Sequence, residues 1–329
     1  MIQFNQTQQK IIHYLSSGNR FSGTEIGKAI GISRTAVWKH IKQLIEIGVP
    51  IQSLPKQGYH LREPLILLDE KKIRSFLESL SFDVPITFHL FASLDSTNRY
   101  LKKLTPSTQI ELCCAETQTQ GRGRFNRHWF SPFGENVYCS FRKQFAGSLS
   151  QLSGLSLVVS LALRKAIQSL FLIENIHVKW PNDIIWQNKK LSGILIEIQA
   201  ESHGFCDVII GIGINVNAMT TDPGYESSWG SLREITGQLI DRNRLIANLI
   251  KYLNDYLSRF LNHGLQAFQK EWSEVDCLFN ESITVSHIHQ ELHGTAQGIN
   301  EFGQLRVVDQ QGKVHLIAFG DTSLKRERK

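Results

Sequence analysis

The sequence predicts a multidomain α+β chain, with a small basic head of helices and one hairpin ahead of a larger neutral body where helices and strands alternate. Three observations carry this. A chain of 329 residues exceeds what one small core organises, so two or three domains follow. Residues 1–62 hold eight Lys/Arg against two acidic side chains, which is the whole net charge of +6, and the remainder balances. The bias stops at Arg62-Glu63-Pro64, a short linker, beyond which strand and helix patterns alternate.

In the head, Gln8 to Leu15 reads as a helix and Thr24 to Ile30 as a second, with Ile26, Ala29 and Ile30 inward. Gly31-Ile32-Ser33 is a tight turn that places Ser33 to cap a third helix, Arg34 to Ile47, ended by Gly48. Val37, Ile41, Leu44 and Ile45 recur at helical spacing and face the core. Arg34, Thr35, Trp38, Lys39 and Lys42 fall on the other side, the polar and basic face that a helix-turn-helix sets into a major groove. Ile51 to Leu54, the turn Pro55-Lys56-Gln57-Gly58 and Tyr59 to Leu61 form a wing with Lys56 at its tip, able to touch phosphate. Trp38 either packs on the wing or reaches DNA. A protein-interaction role for such a head is the competing reading.

In the body, Lys71 to Leu80 reads as a helix and Thr87 to Leu94 as a strand. Asp95-Ser96-Thr97-Asn98 then caps a helix over residues 98–104, giving hydroxyls and free N–H groups that can clasp a small ligand. Gln118 precedes the loop Gly121-Arg122-Gly123-Arg124-Phe125-Asn126-Arg127-His128-Trp129. Its arginines suit carboxylate or phosphate oxygens, its glycines admit close backbone approach, and Trp129 can stack on a purine. Such a loop can hold a carboxylate, a phosphate and an adenine together, as forming an acyl-adenylate requires.

Leu152 to Leu172 is a long apolar helix, and Val178 to Trp186 a strand bent at Pro181. After the turn Gln187 to Lys190 comes the strand Leu191 to Ile198, a hairpin that projects Lys179 and Lys190 into one cleft to meet anions. Asp183 is the candidate Mg²⁺ ligand. Val208 to Asn217 reads as a strand with Gly211 and Gly213 on one face, leaving room for a flat ligand or a neighbouring strand, and with Asn215 toward the same space. Cys113, Cys114, Cys139, Cys206 and Cys277 form no CxxC pair and are odd in number, the usage of reduced thiols in the cytoplasm. No apolar run approaches the ~18–20 residues of a membrane span and the N-terminus lacks a secretory core, so no membrane partner is expected.

GRGRFNRHWFSPFGENVYCS, VKWPNDIIW, KLSGILIEI and IIGIGINVN, in this order and spacing, resemble the biotin protein ligases. The head, with SRTAVWKHI and LPKQGYHL, resembles the DNA-binding domain of the bifunctional bacterial members, the biotin ligase/biotin operon repressors. The resemblance spans nearly the whole chain and implies three domains. These are a winged helix-turn-helix over 1–63, a catalytic domain over 64–274 with a class II synthetase-like mixed sheet, and an SH3-like β-barrel over 275–329. Ser282 to Leu324, with glycines at 294, 298, 303 and 312, fits the barrel.

The resemblance also implies roles. Ser96, Thr97, Asn98 and Gln118 hold the biotin rings, and Arg122, Gly123 and Arg124 order over biotin and its adenylate. Trp129 packs on adenine, Lys190 touches the biotin carboxylate and the phosphate, Gly193 adds a backbone contact, and Asn215 a nucleotide contact. Lys179 and Asp183 belong to the KWPND signature. In the head, Ser33, Arg34, Thr35, Trp38, Lys39, Lys42 and Lys56 face DNA. ATP with Mg²⁺ activates biotin, the partner is the biotin carboxyl carrier protein of acetyl-CoA carboxylase, and the adenylate-bound form pairs as a homodimer on operator DNA. Phe125 and Asn126 depart from a basic residue and Gly in relatives, and Asp321 and Lys325 from Glu and Arg, which touches loop closure and acceptor or ATP contacts. A biotin sensor without turnover, a lipoate-type ligase, and a ligase with a vestigial head are the alternatives.

Overall fold

The computed structural model describes residues 1–55, 57–61, 63–200, 204–219, 229–287 and 290–324, so Lys56, Arg62 and Lys325 lie outside the described residues. Its head comprises α1 (Gln6–Leu15), α2 (Gly23–Ile30), α3 (Arg34–Ile47), β1 (Ile51–Leu54) and β2 (Gly58–Leu61). Each helix begins at a side chain that accepts from an otherwise unpaired N–H: Asn5 from Gln8, Ser22 from Glu25 and Ser33 from Ala36. Gly27 lets α2 turn sharply into α3, because a β-carbon there would stand 2.5 Å from the Ile32 carbonyl oxygen. Ile11, Ile12, Leu15, Ile26, Val37, Ile41 and Leu44 form the head's core. Two inward assignments are overturned. Ala29 is exposed, and Ile45 is 42% exposed. Three short helices bury only a narrow stripe, and Ile45 lies about 100° around α3 from Leu44.

The body follows with α4 (Glu70–Ser79), β3 (Ile86–Leu94), α5 (Thr97–Lys102), β4 (Ile110–Gln118), β5 (Val137–Ala146), α6 (Leu155–Gln168), β6 (Ile176–Lys179), β7 (Asp183–Trp186), β8 (Lys189–Ala200), β9 (Phe205–Ile214), α7 (Leu232–Thr236), α8 (Arg242–His263) and α9 (Gln269–Ser273). One seven-stranded mixed sheet runs β3-β4-β5-β9-β8-β7-β6, with β3 and β4 parallel and the other neighbours antiparallel. Side chains alternate across it: Cys114 and Ile210 enter the large core with α4, α6 and α8, while Cys113 and Ile209 pack with Leu101 of α5 on the other face. That second face carries the candidate site.

Three local expectations change. The apolar helix starts at Leu155, because Gly154 (φ +80°) breaks it from the 3₁₀ turn Leu149–Leu152, and Leu172 is fully exposed. Val178 to Trp186 is not one bent strand but the hairpin β6–β7, with Lys179 opposite Asp183. Pro181 has no N–H for a ladder, and the chain reverses there. The 22-residue α8 was not anticipated, although Leu245, Leu249, Leu253, Leu257 and Phe260 are buried at helical spacing.

The C-terminal strands β10 (Ser282–His287), β11 (Gln290–Ile299), β12 (Leu305–Val308), β13 (Val314–Ile317) and β14 (Asp321–Leu324) form an antiparallel sheet of order β13-β12-β11-β10-β14. It is tied to the β6–β7 turn by Trp180, whose Nε1 donates to the Gly303 carbonyl (3.0 Å) and whose carbonyl accepts from Thr322 Oγ1 (3.0 Å). The head is tied to the body twice. Phe133 enters the head's apolar cluster, and Ile2 bridges to the outer edge of β3, its N–H donating to the Ser93 carbonyl at 2.8 Å. No helix among the described residues is long and apolar enough to cross a membrane.

Candidate functional site

A cavity of about 570 Å³ opens on the α5 face of the sheet. One end is the start of α5. The Thr97 N–H donates to Gln118 Oε1 at 2.9 Å, which joins the helix start to the end of β4. Ser140 Oγ on β5 lies 2.7 Å from Thr97 Oγ1 and 2.6 Å from Asn98 Oδ1. An amide oxygen only accepts, so the one Ser140 proton goes to Asn98. Asn98 Nδ2 donates to Glu197 Oε2 (2.9 Å) and to the Leu195 carbonyl (3.2 Å) on β8. Ser96, Thr97 and Asn98 are all buried, so this clasp is rigid before any ligand arrives.

The Gly/Arg loop forms the cavity's wall. It closes on itself through Gly123 N–H to the Arg127 carbonyl (2.8 Å) and Trp129 N–H to the Gly121 carbonyl (2.9 Å). Within it Phe125 (φ +53°) and Asn126 (φ +59°) both take left-handed backbone. Asn tolerates this and Phe pays strain of about 1–2 kcal/mol, its ring exposed beneath the Arg124 guanidinium at 5.0 Å. Arg124 also reaches Asn182 Oδ1 (3.4 Å) and Asp321 Oδ1 on β14 (3.9 Å). Burial pushes the Arg124 guanidinium below its ordinary value, while Asp321 and Asp183 pull it back up. Arg127 pairs with the other Asp321 oxygen.

The floor comes from β8 and β9. Trp129 lies against two bare positions: a β-carbon at Gly213 would stand 2.5 Å from its Cε2, and one at Gly193 3.0 Å from its Cζ3. Gly211 leaves the space that Asn98 fills. The three strand glycines thus accommodate the protein's own side chains, which then face the cavity. Lys190 Nζ sits 2.7 Å from Asp183 Oδ1 and 5.6 Å from the Trp129 ring centre. Asn215 is fixed by its Nδ2 donating to the Lys190 carbonyl (3.2 Å). Arg122 Nε and Trp129 Nε1 are buried in this wall without a hydrogen-bond acceptor, two donors available to a ligand.

Ser96, Thr97, Asn98, Gln118, Arg122, Gly123, Arg124, Trp129, Asp183, Lys190, Gly193 and Asn215 therefore come together around one cavity from five separate segments. Lys179 does not. It lies on β6, the edge strand, one strand farther out than its register partner Asp183, and does not line the cavity. Its nearest titratable neighbours include Cys277, whose thiol burial and Asp276 push up to about 12 against the pull of Lys179. Asn182, Arg127, Ser140 and Asp321 also belong to the site or its support and were not singled out as binding residues. Asn182 sits beside Asp183 in sequence, but nothing local marks Ser140, which lies in the buried first half of β5.

On the head, Ser33, Arg34, Thr35, Trp38, Lys39 and Lys42 form one exposed face. The Ser33 hydroxyl is occupied by its cap at 3.2 Å. Trp38 is 55% exposed and lies under the Lys42 ammonium at 5.8 Å rather than against the wing.

A polar clasp, an arginine loop and a lysine around one cavity, on a mixed sheet behind a helix-turn-helix head, define a ligase-type catalytic domain joined to a DNA-binding module. Accordingly, residues 90–215 match the Biotin/lipoate A/B protein ligase family and residues 7–60 match an HTH domain. The chain is 34% identical over 328 residues to the Bifunctional ligase/repressor BirA of Escherichia coli (strain K12), covering 99% of each. It is 32% identical to that of Bacillus subtilis (strain 168), over 91% of this chain and 93% of the other. Among solved structures, the biotin protein ligase from Aquifex aeolicus in complex with biotin and ATP superposes with a TM-score of 0.63 at 28% identity, over 74% of this chain and 99% of that one. The chain belongs to the family of bifunctional ligase/repressors BirA.

Proposed function

We propose that the chain is an ATP-dependent biotin–protein ligase that also represses transcription through its winged head. The observation that carries this is the single cavity in which clasp, arginine loop, Trp129 and Lys190 converge. Biotin's ring system lies in the clasp of Ser96, Thr97, Asn98 and Gln118, and its carboxylate points toward Lys190. Adenine lies on Trp129, and Asn215 faces the nucleotide. A biotin carboxylate oxygen attacks the α-phosphorus of ATP and the bond to pyrophosphate breaks. Arg122, Arg124 and Lys190 offset the charge that develops there. The ε-amine of a lysine on a biotin carboxyl carrier protein then attacks the acyl carbon. AMP leaves, and the amine's proton passes to solvent. Positioning supplies most of the rate.

Mg²⁺ accompanying the nucleotide fits this site. Asp183 lines the cavity, and its Oδ1 is paired with the Lys190 ammonium at 2.7 Å, which a bound ion would displace. One or two carboxylates with phosphate oxygens are the usual Mg²⁺ donor set, so Asp183, with Asp321 nearby, would hold the ion while it draws charge from the phosphates. Among the described residues no group of three or more His, Cys, Asp or Glu side chains is placed to hold a metal ion.

The C-terminal antiparallel sheet is read as the family's SH3-like barrel; Asp321 on its β14 pairs with Arg127 of the arginine loop. With adenylate bound, the ordered loop supports a homodimer whose two heads meet an operator. Lys39, Lys42 and Arg34 supply phosphate contacts there.

Transfer of labelled biotin to a carrier-domain lysine tests the enzyme, with wild type beside Lys190→Ala and Arg124→Ala. Wild type is expected to transfer, and each variant to lose about 10²–10³ in rate, as expected for removing a charge that stabilises the transition state. Adenylate binding without transfer by wild type would make the protein a sensor, and operator affinity unmoved by biotin with ATP would remove the repressor role.

A further inference from the structure

The strand face that supports the clasp carries a buried ion network that the ligation steps do not use. Ser140 and Arg142 are two residues apart on β5 and share that face. Ser140 stands beside Cys113 and Gly211, and Arg142 beside Glu111 and Ile209. Arg142 is 1% exposed and Asp207 is fully buried. Arg142 Nε donates to Asp207 Oδ1 (2.9 Å) and Nη2 to Asp207 Oδ2 (2.9 Å), while Nη1 donates to Glu111 Oε2 (3.1 Å). The same guanidinium donates to the carbonyls of Leu101 (3.0 Å) and Leu104 (3.2 Å), in and just after the last turn of α5. A second tie reaches α5 by another route: the Tyr100 hydroxyl is 3.2 Å from His89 Nδ1, and His89 Nε2 is 3.3 Å from Glu111 Oε1.

We propose that Arg142, held by Asp207 and Glu111, is a positioning residue for biotin: it grips the C-terminal end of α5 so that Thr97 and Asn98 at the other end stand at a set depth in the cavity. A six-residue helix is too short to hold itself, and the Tyr100 and Leu101 carbonyls accept backbone N–H groups only from Lys103 and Leu104, at and just past its C-cap. Apolar residues could pack this space at least as favourably as buried charge, so stability alone does not call for the network. What a guanidinium adds is geometry. Its planar fork meets two carboxylates and the carbonyls of Leu101, Leu104 and Thr105 at once, whereas an ammonium is a single point of charge. Ser140 and Arg142 thus fix the two ends of α5 from one rigid strand. The inference rests on the reading that the clasp holds biotin.

The test is a comparison of Arg142→Lys and Tyr100→Phe with wild type in the transfer assay, alongside direct biotin binding by calorimetry. Arg142→Lys keeps the charge but not the fork, and Tyr100→Phe loosens only the second tie. The KM and Kd for biotin are expected to rise roughly tenfold or more in Arg142→Lys and about two- to fivefold in Tyr100→Phe, with the KM for ATP held within about twofold. A kcat that falls with the folded fraction, with both KM values and the biotin Kd unchanged, would make the network merely structural and sink the proposal. If Arg142→Lys does not fold, Tyr100→Phe decides alone by the same split. Wild type that neither binds nor transfers biotin would overturn the biotin reading itself, an outcome distinct from unchanged variants beside an active wild type.

Discussion

At Gly213 a β-carbon would stand 2.5 Å from Trp129 Cε2, and at Gly211 one would stand 2.3 Å from Asn98 Oδ1. The two positions are neighbours on one face of β9, yet they serve opposite ends of the cavity. Forcing an extra carbon into such a contact costs about 1–3 kcal/mol, or roughly five- to 150-fold in affinity. Gly213→Ala is therefore expected to raise the KM for ATP and Gly211→Ala the KM for biotin, each by at least about fivefold. Steady-state kinetics in both substrates checks this, and equal effects of either variant on both substrates would show that the cavity deforms as one piece. The sequence displays these glycines plainly as bare backbone at period two. It does not say what fills the space, because the side chains that do so come from segments some eighty to over a hundred residues earlier. A separation of 42–43 residues from Asn98 and Thr97 likewise hid Ser140, whose neighbours in sequence are all buried.

The arginine loop is held at two levels, by its own backbone bonds and by β14. Asp321 receives Arg127 and lies 3.9 Å from Arg124, joining the C-terminal sheet to the wall of the cavity. Arg127 is largely exposed, and a pair of that kind contributes about 0.2–1 kcal/mol. Asp321→Asn is thus expected to leave the melting temperature within error while speeding tryptic cleavage after Arg124 or Arg127 by up to about fivefold. An unchanged cleavage rate would mean that the backbone bonds Gly123–Arg127 and Trp129–Gly121 hold the loop unaided. The loop's composition was legible, and so was its departure at Phe125 and Asn126, both of which take positive φ. The β6–β7 turn was not. A proline inside a strand-like run is compatible with a bend or a reversal, and only pairing of Lys179 with Asp183 decides between them. Lys179 then stands on the edge strand β6, one strand beyond Asp183 and outside the cavity.

Across the whole molecule, the head is joined to the body beside both halves of the site. Ile2 pairs with Ser93, three residues before Ser96, and Phe133 enters the head's core four residues after Trp129. Phe133 stacks edge-on against Phe4 at 5.9 Å. Removing a buried Phe from a core costs about 3–5 kcal/mol. Phe133→Ala is expected to lower the melting of the head in calorimetry and leave the transition of the body in place, with biotin transfer retained. A single transition that shifts as a whole would show instead that head and body unfold as one unit.

By itself the sequence determined what each segment is made of: a basic head with a capped third helix, an arginine loop, a polar helix start, and apolar strands broken by glycines. Those features depend on residues close together in the chain, where periodicity, capping and charge act directly. Tertiary structure alone decided which of them share a cavity, that Lys179 stands outside it, and that Arg142 holds the far end of α5. Such choices are set by strand order and register, which bring β4, β5, β8 and β9 side by side from positions scattered over a hundred residues. A one-residue change of register would turn each of these side chains to the opposite face.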